Sequence, residues 1–180
     1  MFPLDHPTVV QLRKLIGIAN YQFGRGGGQI LFNKNVRVAC SRRTGRIRHI
    51  FRKNHLIATL RPKDGYFALT IAGAKLILSG MKEPYNLVVV QNDVSEFIQA
   101  GGDVFAKHVV HATASLRPAE EVIVVDEKKH LLAVGKAVLS GTDMQYFKRG
   151  VAVKVRRGDK NSRNRRITRQ DSELDDELEI

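Results

Sequence analysis

Acidic residues are almost missing from the first half of this sequence. Residues 1–82 contain fifteen Lys and Arg but only two acids, Asp5 and Asp64, which gives a balance of +13. Residues 83–157 contain ten bases and nine acids, so the whole-chain charge of +12 is concentrated in the first half. Such a one-sided charge favours a polyanionic partner, and nucleic acid is the leading candidate.

Further absences exclude other classes of protein. The single cysteine, Cys40, excludes an intramolecular disulfide and most zinc sites. No apolar run approaches the roughly 18 residues of a membrane span, and the start, MFPLDHPTVV, lacks the basic and apolar regions of a secretory signal. The densest basic run follows a strand pattern, whereas binding to a membrane surface usually needs an amphipathic helix. We therefore expect a soluble, cytoplasmic protein that does not bind membranes.

Hydrophobic periodicity predicts an α+β domain over residues 1–82. An amphipathic helix is expected from Thr8 to about Ala19, followed by a glycine-rich break at 24–28. Apolar alternation then predicts an antiparallel sheet with Cys40 in the core, and a second helix ends the domain. The expected strands are 36–41, 46–52, 56–60 and 66–71, and the second helix spans 72–79.

The first two strands form a predicted hairpin that is rich in arginine. Its turn is Arg42–Gly45, in which Gly supplies the positive φ that such turns need. The strand period of two gathers four arginines on one face, namely Arg37, Arg46, Arg48 and Arg52. The flanking cations include Arg42, Arg43 and Lys53. A solvated strand face is the alternative, but the lack of any acid between Asp5 and Asp64 favours binding to RNA phosphates.

A shift in composition at Glu83-Pro84 predicts a second domain over residues 83–157. It begins with a strand at 87–90 and a helix at 93–100, which Gly101-Gly102 ends. Short strands follow at 104–110, 122–125, 131–139 and 151–155, a spacing typical of a small closed barrel or sandwich. Residues 158–180 are first basic and then acidic, which is typical of a flexible charged tail.

Several stretches of the second domain resemble a PUA domain, the small RNA-binding pseudo-barrel of pseudouridine synthases and archaeosine transglycosylases. They are GGDVFAKHV (101–109), LRP (116–118), EVIVVD (121–126), LAVGKA (132–137) and RGVAVKVR (149–156). The resemblance implies a PUA-type β pseudo-barrel that contacts RNA through Gly102, Lys107, His108, Arg117 and Arg156. Three positions depart from the usual pattern: Ala119-Glu120 replaces Gly-Asp, and His108 stands where an apolar aromatic residue is common.

The first domain resembles the pre-PUA module that precedes the PUA domain in archaeal tRNA-guanine transglycosylase, the archaeosine enzyme. The similar stretches are YQFGRG (21–26), SRRTGRIR (41–48) and TLRPKDGYF (59–67). A chain of 180 residues is too short to contain the catalytic barrel of that enzyme as well. The resemblance implies a stand-alone archaeal accessory of tRNA modification, whose partners are tRNA and a separate catalytic subunit. A ribosome-associated protein that binds rRNA stays open as the alternative.

The residues themselves contain no recognisable catalytic set. There is no Ser-His-Asp set and no P-loop, and the carboxylates of Glu120 and Glu121 would point apart on a strand. His108 and His111 have no third metal ligand nearby in the sequence. We therefore expect a non-catalytic protein without a metal or cofactor. Because aromatic residues are few, we also expect binding to structured RNA rather than stacking on single strands.

Overall fold

The computed structural model of the protein describes residues 4–162 and contains two β-sheets with helices around them. The first sheet has strand order β1-β2-β3-β4, and the second has the order β6-β10-β9-β8-β5-β7. The strands are β1 (Val36–Cys40), β2 (Ile47–Arg52), β3 (His55–Leu60), β4 (Phe67–Leu69), β5 (Leu87–Val90), β6 (Val104–Phe105), β7 (Val109–Ala112), β8 (Glu121–Asp126), β9 (Leu131–Ala137) and β10 (Val151–Gly158). The helices are α1 (Val9–Phe23), α2 (Gly27–Leu31), α3 (Ile71–Gly80), α4 (Ser95–Gln99), α5 (Gly141–Tyr146) and α6 (Asp159–Ser162). This architecture confirms the α+β class and the barrel-like second sheet.

Specific caps fix the ends of the first helix. Thr8 and Gln11 form a capping box, in which the Thr8 hydroxyl accepts from the Gln11 N–H at 3.2 Å and Gln11 Oε1 accepts from the Thr8 N–H at 2.8 Å. Beyond the helix, the predicted glycine break forms a tight turn into α2. The N–H groups of Gly26 and Gly28 donate to Asn20 Oδ1 at 3.1 and 2.8 Å. The N–H groups of these two glycines therefore already have a hydrogen-bond acceptor within the protein.

Pairing of β1 with β2 distributes the hairpin arginines over two faces, so the prediction of a single arginine face is wrong. Arg37 pairs with Phe51, and Val36 pairs with Arg52. Paired residues share a face and neighbours alternate, so Arg37 and Arg52 lie on opposite faces. A bulge near the turn leaves Arg48 as an extra residue on β2. The alternation along each strand was visible in the sequence, but the register between the strands was not.

The same bulge changes the place of the single cysteine. The extra residue on β2 lies opposite the bond between Ala39 and Cys40 on β1, where the register shifts. Cys40 is partly exposed instead of lying in the core, and Ala39 is buried. The turn of the hairpin is as predicted, with Gly45 at φ +66° and its N–H donating to the Ser41 carbonyl at 2.9 Å.

The strand predicted at 104–110 is broken in two, which is a second correction. Its first part, β6, pairs with β10, and its last residues belong to β7, which pairs with β5. A 3-10 turn at Ala106–His108 joins the two parts. Because β6 and β7 lie at opposite ends of the strand order, this turn connects the two edges of the sheet and gives it a nearly closed form.

The turn before β8 keeps a left-handed residue although its sequence departs from the usual Gly-Asp. Ala119 has φ +71°, a conformation that favours glycine. Its N–H donates to the Ala137 carbonyl at 2.8 Å. The Glu120 carboxylate accepts from the Arg117 N–H at 2.9 Å. These bonds hold the turn in place despite the side chain of alanine.

The end of β10 extends beyond the boundary that the sequence suggested. Residues 158–162, assigned above to the tail, belong to β10 and α6. Asp159 is 9% exposed and forms an ion pair of 2.7 Å with Lys75 on α3. The rest of the predicted tail lies outside the described residues. Within residues 4–162, no helix combines the length and apolarity needed to cross a membrane.

A buried ion pair joins the two sheets. Glu121 on β8 is fully buried, and Arg156 on β10 approaches it with both terminal nitrogens: Nη1 lies 3.0 Å from Oε2, and Nη2 contacts Oε1. Leu69 on β4 completes the junction, because its N–H donates to Glu121 Oε1 at 2.8 Å and its carbonyl accepts from Arg156 Nη2 at 2.7 Å. Apolar packing is continuous across the junction, since Ile123 and Val134 belong to the same buried cluster as the first sheet.

Arg156→Met should lower the free energy of unfolding by about 3 kcal/mol, because it leaves the fully buried Glu121 carboxylate without its cation. Denaturant unfolding followed by circular dichroism measures the change. Lys148→Met removes an exposed cation as the control and should change stability by less than about 0.5 kcal/mol. Equal stability of the two variants would contradict the role assigned to the ion pair.

Candidate nucleic-acid interface

Exposed cations of β1, β2 and their turns form what we call the hairpin surface. Its members are Arg37, Arg42, Arg43, Arg46 and Lys53. The only acid between residues 6 and 82 is Asp64, and it forms an ion pair of 3.0 Å with Arg61 in the turn after β3. The first sheet therefore contributes an excess of positive charge around the hairpin.

Two arginines expected on this surface are partly withdrawn from it. Arg48 and Arg52 are half-buried. The Arg52 Nη1 atom donates to the Ile30 carbonyl at 2.9 Å, which ties β2 to α2. A guanidinium held in this way stabilises the fold, so we do not include Arg52 in the proposed contact surface.

A small polar cavity, which we call the notch, opens on the hairpin. Its volume is about 290 Å³, and its lining is Asn35, Arg37, Phe51, Lys53 and Asn54. Two of these residues were expected from the sequence as RNA contacts, Arg37 and Lys53. No pattern in the sequence singles out Asn35, Phe51 or Asn54, and Phe51 comes beside Arg37 only through the cross-strand register.

A second cavity lies in the PUA-like half, and we call it the PUA cavity. Its volume is about 280 Å³, and it is lined by Val94, Phe97, Ile98, Asp103, Phe105, Lys107 and His108. Phe97 and Phe105 are 58% and 41% exposed, so the walls present aromatic surface beside the Lys107 cation. The cavity thus brings together Lys107 and His108, which the resemblance predicted, with two aromatic rings that it did not.

The glycine loop shapes this cavity. Helix α4 ends with Gly101 at φ +101°, a conformation that favours glycine. A Cβ atom at Gly102 would lie 2.1 Å from the Phe97 ring, so any other residue there would displace the ring from this wall of the cavity. Asp103 fixes the far side of the loop: its Oδ1 accepts from the Val155 N–H at 2.9 Å, and its Oδ2 lies 2.7 Å from Lys154 Nζ.

The two histidines do not form a metal site with their neighbours. His108 is half-buried, and its Nδ1 lies 3.0 Å from Gln91 Oε1, while His111 lies further along on β7. Among the residues that the structure describes, no group of three or more His, Cys, Asp and Glu side chains could hold a metal ion. His108 therefore contributes a polar rim to the PUA cavity.

The remaining predicted contacts lie apart from both cavities. Arg117 is exposed in the turn before β8. The Arg156 guanidinium is engaged with Glu121 and the Leu69 carbonyl at the junction. We assign Arg156 a structural role and do not include it in the proposed contact surface.

More aromatic rings reach the surface than the low aromatic content suggested. All four tyrosines of the chain are exposed, as are Phe97, Phe105 and Phe147. Tyr21 and Tyr66 stack on each other with ring centroids 6.0 Å apart. The expectation that stacking surfaces are scarce is therefore wrong, because the sequence does not show which aromatic residues stay outside the core.

The nearly closed second sheet has the fold of a PUA domain. A family model of the PUA domain matches residues 86–158, and a model described as the patch-forming domain C2 of tRNA-guanine transglycosylase matches residues 13–84. The second half of the chain therefore contains a PUA domain, and the two modules together are similar to the C-terminal region of archaeal tRNA-guanine transglycosylases.

Individual relatives agree with these matches. A tRNA-guanine(15) transglycosylase of Methanobrevibacter smithii is 41% identical over 147 residues, which are 82% of this chain and 22% of that enzyme. The enzyme of Thermococcus kodakarensis is 41% identical over 87% of this chain and 27% of its own length. The chain thus spans about a quarter of these relatives.

Solved structures with the same fold cover most of the chain. A hypothetical protein of Pyrococcus horikoshii OT3 has a TM-score of 0.69 at 25% identity, over 87% of this chain and 94% of that protein. A PUA domain protein of Aeropyrum pernix K1 has a TM-score of 0.65 at 16% identity, over 88% of this chain and 87% of that protein, which shows the fold alone.

Stability should depend on pH through Asp103. The hydrogen bond from Lys154 lowers the pKa of this carboxyl below its ordinary value, and the Val155 N–H adds to the effect. A lowered pKa stabilises the folded state above the ordinary pKa of about 4, and this contribution is lost as the pH falls through the lowered value. Asp103→Asn should therefore melt at a lower temperature than the original protein at pH 7, with a difference that shrinks below about pH 4.

Thermal melts between pH 3 and pH 7 measure this difference. Asp93→Asn, at an exposed carboxylate, is the matched control and should melt like the original protein throughout. A melting difference for Asp103→Asn that stays constant down to pH 3 would show that the ion pair with Lys154 does not stabilise the loop.

Proposed function

We propose that the protein binds structured RNA, with tRNA as the first candidate, and serves as a non-catalytic accessory to tRNA modification of the archaeosine type. The observation that carries the proposal is the hairpin surface, a set of exposed cations in a stretch of sequence with almost no acids. Phosphate groups release condensed counter-ions when Lys and Arg neutralise them, so such a surface favours a nucleic-acid backbone.

The PUA cavity supports the same proposal from a different kind of chemistry. Exposed Phe97 and Phe105 offer faces on which a base can stack, and Lys107 offers a charge for a phosphate. A cationic surface and an aromatic cavity on one protein suit an RNA that has both helical and unpaired parts. Transfer RNA has this character.

The relatives support tRNA as the target. They are named tRNA-guanine(15) transglycosylases, and the family model that matches the first half describes a patch-forming domain of tRNA-guanine transglycosylase. Because the match covers about a quarter of those enzymes, we propose that the modification chemistry resides in a separate catalytic subunit. The protein would then contribute affinity and orientation for the RNA.

Affinity for a tRNA transcript should fall steeply with salt. If four to six phosphates are engaged, log affinity against log salt has a slope of roughly −3 to −5. Replacing Arg37, Arg42, Arg43 and Arg46 of the hairpin surface with Ser should weaken binding and make the slope shallower by roughly 3. Fluorescence anisotropy at about 50 to 300 mM salt measures both the affinity and the slope. Affinity for nucleic acid changes strongly over roughly this range of salt.

The control replaces four exposed lysines that do not belong to the hairpin surface. Lys63, Lys128, Lys129 and Lys148 changed to Ser remove the same charge and should leave most of the affinity and slope. A flat salt response of the original protein would contradict the electrostatic account. Tighter binding to an rRNA fragment than to tRNA of equal length would replace the proposed target with the ribosome.

A further inference from the structure

The notch on the hairpin is a built polar site, separate from the PUA cavity. Its lining combines two cations, two amides and one aromatic ring, and contains no carboxylate. We propose that the notch binds one unpaired nucleotide of the RNA, with its phosphate on Arg37 and Lys53 and its base on the ring of Phe51. This proposal rests on the proposed RNA-binding function and adds the class of nucleotide and the place where it binds.

Two cations share the notch without a counter-ion of their own. In the part of the chain that the structure describes, neither Arg37 nor Lys53 takes part in an ion pair. Like charges at the rim of one cavity repel each other, and a phosphate between them removes the repulsion. The planar guanidinium of Arg37 can also hold two phosphate oxygens at once.

The turn that carries Lys53 has an unfavourable conformation. Lys53 and Asn54 connect β2 to β3 with φ values of +49° and +62°, a left-handed region in which Gly and Asn are preferred. Asn54 suits its position, whereas Lys53 does not. A strained residue that places a cation on a cavity is typical of a binding site, where the strain is retained because the side chain is needed.

The aromatic ring of Phe51 is held beside the cations. Because Phe51 pairs with Arg37 across the two strands, the ring and the guanidinium are neighbours on the same face of the sheet. The ring is half-buried, so it is fixed in place while part of it stays exposed. A base that stacks there would have the amides of Asn35 and Asn54 nearby, and these can both donate and accept hydrogen bonds.

The size of the notch selects an unpaired nucleotide. A volume of about 290 Å³ is close to the lower limit of small-molecule pockets, about 300 Å³. A duplex is far too wide for such a site, and a base must leave its helical stack before it can enter. The notch is therefore expected to add specificity for a bulge or loop to the backbone contacts of the hairpin surface.

Two RNA hairpins of equal length test this inference, one with a fully paired stem and one with a single bulged 4-thiouridine. The original protein should bind the bulged RNA at least about fivefold more tightly, a typical effect of one stacked base. Irradiation should crosslink the thiouridine to the peptide that contains Phe51. Phe51→Leu should abolish the preference and leave binding to the paired stem unchanged.

Lys53→Gly separates the function of this residue from its effect on stability. It removes the charge and the strain together, so the variant should melt at a higher temperature and yet lose preference for the bulged RNA. Phe147→Leu and Lys63→Ser, at an exposed ring and an exposed lysine outside the notch, are the matched controls and should keep the preference.

The outcomes distinguish this inference from the proposed function. If the original protein binds the two RNAs equally and no crosslink forms near Phe51, the notch does not bind an unpaired nucleotide, and the proposed RNA binding is unaffected. If the original protein binds neither RNA, both the proposed function and the nucleotide site in the notch are contradicted. Preference retained by both Phe51→Leu and Lys53→Gly would place the unpaired nucleotide elsewhere.

Discussion

The buried ion pair between Glu121 and Arg156 is the interaction on which the arrangement of the two sheets depends. A carboxylate without solvent contact is tolerated only if it is paired and hydrogen-bonded, and part of that requirement is met by the Leu69 N–H from the other sheet. Without β4, the Glu121 carboxylate of the PUA-like sheet would lose one of its hydrogen-bond donors. The hairpin surface and the PUA cavity are consequently carried by two sheets that are joined by hydrogen bonds and a shared apolar cluster, which suits recognition of the shape of a folded RNA.

The two sheets contribute different chemistry. The hairpin surface offers charge, which acts on any phosphate backbone and is sensitive to salt. The PUA cavity offers the exposed rings of Phe97 and Phe105, a kind of surface on which bases can stack with little dependence on sequence. The notch joins both kinds of contact within a few residues. Together they favour an RNA with paired stems and unpaired nucleotides at defined places.

The helices and strands could be predicted from the sequence, whereas the register between strands and the long-range packing could not. Apolar alternation identified the strands of the hairpin, and Gly45 identified its turn. The face of Arg37 could not be predicted, because a bulge in the partner strand sets the register and leaves no local signal. The role of Glu121 was also hidden: beside exposed Glu120 it looks like one of two surface acids, and only long-range packing shows that it is buried. The PUA resemblance predicted Arg156 as an RNA contact, whereas its guanidinium bonds to Glu121 and the Leu69 carbonyl.

The central claim is that the hairpin surface and the PUA cavity bind the same RNA molecule. Isothermal titration of a tRNA transcript tests it most directly, with the original protein, a hairpin variant (Arg42→Ser with Arg43→Ser) and a cavity variant (Phe97→Ala with Lys107→Ser). We predict one RNA per protein and weaker binding in each variant, with losses that add in free energy because the sites do not touch. Two RNAs per protein, or full affinity in either variant, would contradict the claim.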